Sequence, residues 1–365
     1  MRRALLRWYR RSARALPWRA TRDPYRVWVS EILLQQTRVE TALPYYERFV
    51  DALPTVDALA AAPLDRVLRL WAGVGYYGRA RRLHEAARVV VRERGGRFPS
   101  SSDEWQRLPG IGRYTAGAMA SIVSGEPTPA VDGNVKRVLA RLYGIEASID
   151  AGPTQADLWR RAALLVARRS PGDFNQAMME LGARVCTARR PACAACPLRR
   201  WCVAWRDGLQ DRLPVRSARR PVPRVDAVGG LVCEEDRCLL VRRLPTGLLG
   251  GLWTLPGGEL RRGENHGDAL RRHLRAMLGV EVEVGKRLAA VRHEFSHRRL
   301  RIHVYRCQLP GPVGLGGGEM LRWVSRGRLG RYAMAAVDRK VLAAALPGTV
   351  EGGVDDEPRS LAGRG

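Results

Sequence analysis

Residues 101–123 read SSDEWQRLPGIGRYTAGAMASIV. Ser101 to Arg107 can start a short helix, the string L108-P-G-I-G112 breaks it, and Arg113 to Val123 resumes helical periodicity. The stretch therefore predicts a helix, a tight glycine turn and a second helix. Such a turn bares backbone N–H groups at a helix N-terminus, where a phosphate can approach without a bulky side chain intervening. Taken alone, the string suits an ordinary αα-turn equally well. Twenty residues after Gly112 comes V131-D-G-N-V-K-R137, another helix start, in which the default role of Asp132 is an N-cap.

Outward from this core the pattern stays helical. From Trp28 to Ala204 apolar residues recur at helical spacing between Pro and Gly breaks, with few alternating β-branched runs. Leu209 to Pro223, rich in Pro and Arg, reads as a linker. Beyond it, Ala227–Val232, Cys238–Arg242 and Leu300–Val304 predict strands and Asp268–Leu278 predicts a helix. The fold class expected is multi-domain: an all-α domain over residues 1–205, a linker over 206–223, an α+β domain over 224–346, and a disordered tail over 347–365. No internal repeat is present.

The chain of 365 residues carries 63 basic against 36 acidic residues, a formal charge of +27. That balance points to a polyanionic partner, nucleic acid first. Lys occurs only at 136, 286 and 340, so part of the excess reflects the Arg-heavy codon usage of a GC-rich genome. The first twenty residues are interrupted by Arg every few positions, which excludes an apolar signal core or membrane span there. A cytoplasmic, nucleoid-associated and bacterial protein without membrane contact, acting as a monomer, is the expectation.

Of seven cysteines, Cys186, Cys193, Cys196 and Cys202 follow the spacing C-x6-C-x2-C-x5-C. Four thiolates on one short segment fit a metal centre in a reducing compartment better than a disulfide framework. On cysteine count alone, zinc and an iron–sulfur cluster fit equally. Arg189, Arg190, Arg199 and Arg200 stand between or beside these cysteines, either to meet phosphates or simply as solvated cations. Cys233, Cys238 and Cys307 read as strand packing.

Glu31 lies in V27-W-V-S-E-I-L-L-Q-Q-T37, a largely apolar helix in which Trp28 and Leu34 flank it on one face. Burial there raises a carboxyl pKa and keeps a general acid protonated near neutrality. A helix-face Glu that reaches water is the plainer alternative.

The order of hairpin, V-D-G-N-V and cysteine loop resembles the helix-hairpin-helix DNA glycosylases of the endonuclease III and MutY superfamily, and S-E-I-L-L-Q-Q-T resembles the MutY branch. The resemblance spans essentially the whole chain. It implies a [4Fe-4S] cluster on Cys186, Cys193, Cys196 and Cys202, and double-stranded DNA as partner. It also implies excision of adenine mispaired with 8-oxoguanine, or with guanine, in base excision repair. Glu31 would protonate the departing base and Asp132 would stabilise the sugar's developing cation, with help from Tyr114 and Asn134. Endonuclease III-type lyases carry Lys where this chain has Tyr114, so the resemblance implies a monofunctional enzyme. Gln36 and Tyr76 match residues inserted into the duplex when the base flips out. Leu108, Gly110 and Gly112 match the phosphate-binding hairpin. Arg19, Leu34 and Gln176 are candidates for the adenine pocket, and Gly78 departs from the Ser more usual in the family.

L252-W-T-L-P-G-G-E-L260, Glu264 and R271-R-H-L-R-A-M-L-G-V280 resemble a Nudix box. The positions that carry Mg²⁺-binding carboxylates in such hydrolases hold His273, Ala276 and Met277, so no Mg-dependent hydrolysis is expected. In H293-E-F-S-H297, the resemblance assigns Phe295, Ser296 and His297 to recognition of 8-oxoguanine. Three rivals remain: an endonuclease III-like glycosylase-lyase for oxidised pyrimidines, a non-catalytic, cluster-bearing damage sensor, and a Nudix hydrolase with a DNA-binding appendage, which His273, Ala276 and Met277 disfavour.

Overall fold

The computed structural model describes residues 1–218, 221–311 and 320–348. Two compact units emerge, Met1–Ala61 with Arg82–Arg219 and Ala62–Arg81 with Arg220–Gly365. The stretch 349–365, expected to be a tail, lies outside the described residues.

The first unit is helical: α1 (Arg2–Ser12), α2 (Pro24–Leu34), α3 (Val39–Ala52), α4 (Val56–Ala61), most of α6 (Gly78–Arg94), α7 (Ser102–Gln106), α8 (Arg113–Val123), α9 (Gly133–Tyr143), α10 (Gly152–Leu165), α11 (Pro171–Arg184) and α12 (Val203–Arg206). Asp23 caps α2 by accepting the Arg26 amide at 2.8 Å, and Pro24 sits in the first turn, where its missing N–H costs nothing. Eight of the eleven α2 residues are buried, so this helix runs through the interior rather than along the surface. Its Trp28 ring lies 5.9 Å from Trp105 of α7 and 6.0 Å from Phe98. This aromatic group anchors the first helix of the predicted hairpin to the helix that carries Glu31.

The hairpin forms as read. Ser101 caps α7, and the turn closes with the Ile111 amide donating to the Leu108 carbonyl at 3.2 Å. Gly110 has φ +78°, and a Cβ there would lie 2.6 Å from that of Arg82, so both conformation and space demand glycine. Gly182 of α11 is required for another reason. A Cβ on it would stand 2.6 Å from the Cβ of Asn134, at the start of α9.

Residues 209–217, read as linker, are held against the first unit. Leu213 is buried, its carbonyl accepts from Arg141 Nε at 2.8 Å, and the Ile149 amide donates to the Val215 carbonyl.

In the second unit, β1 (Arg224–Glu234), β2 (Arg237–Arg242), β3 (Trp253–Thr254), β4 (Gly257–Glu259), β5 (Glu283–Glu294), β6 (Arg299–Gln308) and β7 (Leu321–Ser325) form a mixed sheet. Its order is β3-β2-β1-β6-β5, with β4 paired to β1 and β7 to β2, and among the strand pairs of the described residues only β1–β6 is parallel. Helix α13 (His266–Leu278) lays Ala269, Leu270 and Leu274 on Val228, Val232 and Cys307. Helix α14 (Ala336–Ala345) packs on β5. Two features were not read from sequence. Helix α5 (Leu64–Leu70) and the turn after it belong to this unit, with Asp65 accepting from Trp253 Nε1 and Tyr77 donating to the Met334 carbonyl at 3.0 Å. Cys233 and Cys238, expected only to pack, face each other across the β1–β2 ladder and form a disulfide, because the register makes them direct partners. Cys307 is buried as expected.

Replacing Gly182 with Ala is expected to cost about 1–3 kcal/mol, the usual range for overpacking a tight helix contact. Urea denaturation measures it, and an unchanged midpoint would mean that α9 and α11 separate without penalty.

Candidate active site and cysteine loop

Glu31 is 7% exposed on an interior helix. Its Oε2 accepts a 2.8 Å hydrogen bond from the Tyr114 hydroxyl, which also lies 3.1 Å from Met179 Sδ of α11. Tyr114 is the second residue of α8, so the turn that bares the helix N-terminus also delivers the phenol to the carboxyl. Desolvation pushes Glu31 up to about 7, with the hydroxyl hydrogen bond opposing and the charge of Asp132 reinforcing the shift. Tyr114 is raised well above its ordinary value by the same burial and by both carboxylates.

Asp132 is the N-cap of α9, the role residue type alone predicts. Oδ1 accepts from the Val135 amide at 2.7 Å and Oδ2 from Asn134 Nδ2 at 2.8 Å. Burial raises its pKa, while these donors favour the anion. The two carboxyls therefore differ in kind: Glu31 is dry with one hydroxyl donor, and Asp132 is bound by several N–H groups. Such unequal surroundings allow one carboxyl to hold a proton beside an ionised partner.

Behind Asp132 the network continues. Asn134 Oδ1 accepts from Arg137 Nη2 at 2.8 Å, and Arg137 also donates to the carbonyls of Gly182 at 2.7 Å and Cys186 at 2.8 Å. Arg137 and Met179 went unnoticed in the sequence. The only available signal was the helical offset of Arg137 from Asn134.

Of the pocket candidates, Arg19 donates to Glu180 at 2.8 Å and its charge acts on Glu31, whereas Gln176 Oε1 accepts from Tyr9 OH at 3.2 Å. Tyr9 also stacks against Arg19 at 5.6 Å, so one ring neighbours both. Leu34 is half-buried at the end of α2. Glu180, another residue missed in the sequence, is buried between Arg14 and Arg19, and despite its burial these guanidiniums hold it down at about 2.

Gln36 is exposed with φ 57°, and Tyr76, in the second unit, is 39% exposed with φ 49°. Left-handed backbone at residues other than glycine stores strain and is concentrated at functional positions. Gly78 opens α6 with only Arg81 near its missing Cβ. In the hairpin, Gly110 and Gly112 are exposed but Leu108 is 5% exposed, so it supports the turn from within.

Cys186, Cys193, Cys196 and Cys202 are free thiols that line one cavity of about 30 Å³. No three His, Cys, Asp or Glu side chains among the described residues form a group that could hold a single metal ion. The all-sulfur donor set fits an iron–sulfur cluster. Arg189, Arg190, Arg199 and Arg200 all point their segment outward as exposed residues.

In the second unit, the described residues of the Nudix-like segment form no carboxylate cluster able to hold a metal ion. Glu264 is clasped by Arg272 at 2.6 Å, and the His273 ring lies over Gly258 with Nε2 at 2.9 Å from the Glu259 carbonyl. Ala276 and Met277 offer no ligand oxygen. At the β5–β6 tip, the Phe295 amide donates to the Arg298 carbonyl at 2.8 Å. The Phe295 ring lies 5.7 Å from His297 and 4.6 Å from His293, leaving Ser296 and His297 exposed.

Glu31 in the folded chain takes up its proton near pH 7 rather than 4.5, so folding binds more protons between those values. Stability must then fall as pH rises from about 4.5 to 7 and remain lower above it. The Glu31→Gln variant, which cannot ionise, is expected to exceed the parent in stability at pH 8 by on the order of 2 kcal/mol and to match it at pH 4. Thermal melts at the two pH values test this; equal melting at pH 8 would mean that the carboxyl reaches water.

Comparison with known proteins follows the same division of the chain. The profile of the HhH-GPD superfamily of base excision DNA repair proteins matches residues 29–163, that of the iron-sulfur binding domain of endonuclease III matches 186–202, and that of the NUDIX domain matches 227–344. Adenine DNA glycosylase of Mus musculus is 38% identical over 87% of this chain and 73% of its own. Those of Schizosaccharomyces pombe and Buchnera aphidicola (Acyrthosiphon pisum) are 33% and 32% identical, covering 94% and 84% of this chain and 89% and 86% of theirs. A thermostable thymine-DNA glycosylase structure superposes with a TM-score of 0.52 at 30% identity, over 56% of this chain and 95% of that one. Relatives from animals, yeast and bacteria alike remove the support for a bacterial assignment. Among the described residues no helix is long and apolar enough to cross a membrane. With a mammalian relative matched over nearly three quarters of its length, and with glycosylase, iron-sulfur and NUDIX segments in this order, the chain belongs to the adenine DNA glycosylase family.

Proposed function

We propose that this chain removes adenine mispaired with 8-oxoguanine, and with guanine, from double-stranded DNA, as a monofunctional glycosylase in base excision repair. The observation that carries the reading is the buried Glu31 carboxyl, pushed up to about 7 and held by Tyr114 beside an N-H-bound Asp132. Adenine leaves as an anion unless N7 is protonated, and Glu31 is the acid poised to supply that proton near neutrality. Asp132 stabilises the oxocarbenium cation left on the sugar. Tyr114 orients Glu31, and Asn134 orients Asp132. Water then completes the displacement, leaving an abasic site.

A lyase reading requires an amine where Tyr114 stands. Lys136, the nearest lysine in sequence, spends its Nζ on Gln155 Oε1 at 2.9 Å. Gln36 and Tyr76 would enter the duplex to hold the space left by the flipped base, their strained backbones pre-set for it. Gly110 and Gly112 would seat a phosphate on the N-terminus of α8. Phe295, Ser296 and His297 would read the 8-oxoguanine, with the Ser296 hydroxyl distinguishing its N7–H from the bare N7 acceptor of guanine. The second unit is then a reader rather than a hydrolase. A [4Fe-4S] cluster would be held by Cys186, Cys193, Cys196 and Cys202, fixing the loop whose Cys186 carbonyl receives Arg137.

Single-turnover release of adenine from a duplex carrying A opposite 8-oxoguanine tests the roles. Glu31→Gln and Asp132→Asn are each expected to lower the rate by at least about 10²-fold, and undiminished release by either refutes its assignment. The parent rate should fall as pH rises through about 7, where Glu31 loses its proton. Ser296→Ala should narrow the preference for A opposite 8-oxoguanine over A opposite G while leaving adenine chemistry on the latter intact. Equal discrimination in variant and parent would remove the hairpin from lesion reading.

A further inference from the structure

The cavity of the four cysteines is lined also by Arg141 and Gln210, neither of which is a ligand or part of the catalytic group. Arg141 is 2% exposed, an unusual position for a cation. Its Nε donates to the Leu213 carbonyl at 2.8 Å, Nη1 to the Thr187 carbonyl at 2.6 Å and to Cys186 Sγ at 3.3 Å, and Nη2 to the Ala188 carbonyl at 3.3 Å. Every carbonyl it meets belongs to the loop or to the segment that follows it. No carboxylate pairs with it among the ion pairs of the described residues. A buried guanidinium is costly without a counter-charge, and Cys186, whose sulfur it touches, would carry one once it ligates iron.

Gln210 presents a complementary anomaly. Its side-chain oxygen is buried in the cavity wall without a hydrogen-bond donor. Four of the five N–H groups of Arg141 are spent on the bonds above, and cysteine sulfurs that ligate a cluster only accept. A carboxamide whose unpartnered oxygen lines a cavity shared with four such acceptors is more stable rotated by half a turn, which turns its N–H₂ toward that cavity.

We infer that Arg141 and Gln210 are the outer shell of the iron–sulfur centre, donating one charged and one neutral N–H···S hydrogen bond that set the centre's reduction potential. The inference rests on the reading that the loop carries a cluster. Hydrogen bonds and positive charge at the sulfurs stabilise the more negative, reduced state and raise the potential. The contact to Cys186 is also notable because the next atoms of that residue receive Arg137, which reaches Asn134.

The test uses the full chain purified with its cluster. Iron and sulfide are assayed first, then the midpoint potential is measured by voltammetry, and cluster loss to a chelator is timed. Gln210→Leu removes the donor with little change in volume, and Gln210→Glu replaces it with an anion. The expected order of potentials is parent highest, Gln210→Leu lower, Gln210→Glu lowest, with the three folding alike by thermal melt. Arg141→Gln should lose its cluster about tenfold faster or more, the usual scale for outer-shell partners, and Arg141→Lys should slow that loss by restoring the charge. Equal potentials in all three Gln210 proteins would overturn the role of Gln210. Chelator loss from Arg141→Gln at the parent rate would overturn that of Arg141. Absence of iron and sulfide from the parent protein would instead defeat the cluster reading beneath both.

Discussion

The arrangement of the first unit depends on one costly act, the burial of a carboxyl group on a helix that is otherwise apolar. An ionised Glu31 would lose its hydration without a cation in direct contact, so the fold shifts it toward the protonated form and supplies a single hydroxyl as partner. Three helices must meet for this to hold. Trp28 on α2 packs on Trp105 of α7, the glycine turn reverses the chain, and Tyr114 at the head of α8 arrives at the carboxyl. The hairpin is thus both a tight glycine turn and the support of the Glu31 carboxyl, and a change in one is felt in the other.

Asp132 is handled in the opposite manner. It remains at a helix N-terminus, where amide donors and the helix dipole favour its anion. The site thus contains one carboxyl with a single hydroxyl donor and one, also desolvated, bound by several N–H groups, a difference produced by position in helices rather than by residue type. Glu180 completes the contrast: equally buried, it is driven down by two guanidiniums. Three carboxylates in one helical unit have three protonation behaviours because each has different neighbours.

The second unit retains the strand–loop–helix frame of a nucleotide hydrolase while its polar groups are turned to internal uses. Glu264 is consumed by Arg272 and His273 is folded over Gly258, so the helix that would carry a cation's ligands instead braces the loop before it. What remains available is the β5–β6 tip, where aromatic packing props up two exposed polar side chains. The tip closes the long antiparallel ladder of β5 and β6, whose last pair is Glu294 with Arg299.

Much was legible in the residues themselves. Glycine at 110 and 112, Asp132 before a helix and four closely spaced cysteines are local signals, governed by backbone conformation and short-range spacing, and local signals survive without knowledge of the fold. The strands β1, β2 and β6 and helix α13 were visible for the same reason. What only the tertiary structure decided are matters of long-range packing. These include the chain from Asp132 through Asn134 and Arg137 to Cys186, the buried Arg141, the clasp on Glu180, the disulfide between Cys233 and Cys238, and the placement of residues 62–81 in the second unit. An arginine has the same letter whether solvated or sealed inside a loop, and in a chain with so many of them composition hides the few that matter. Their roles are set by desolvation and by partners distant in sequence, and those exist only once the chain has folded.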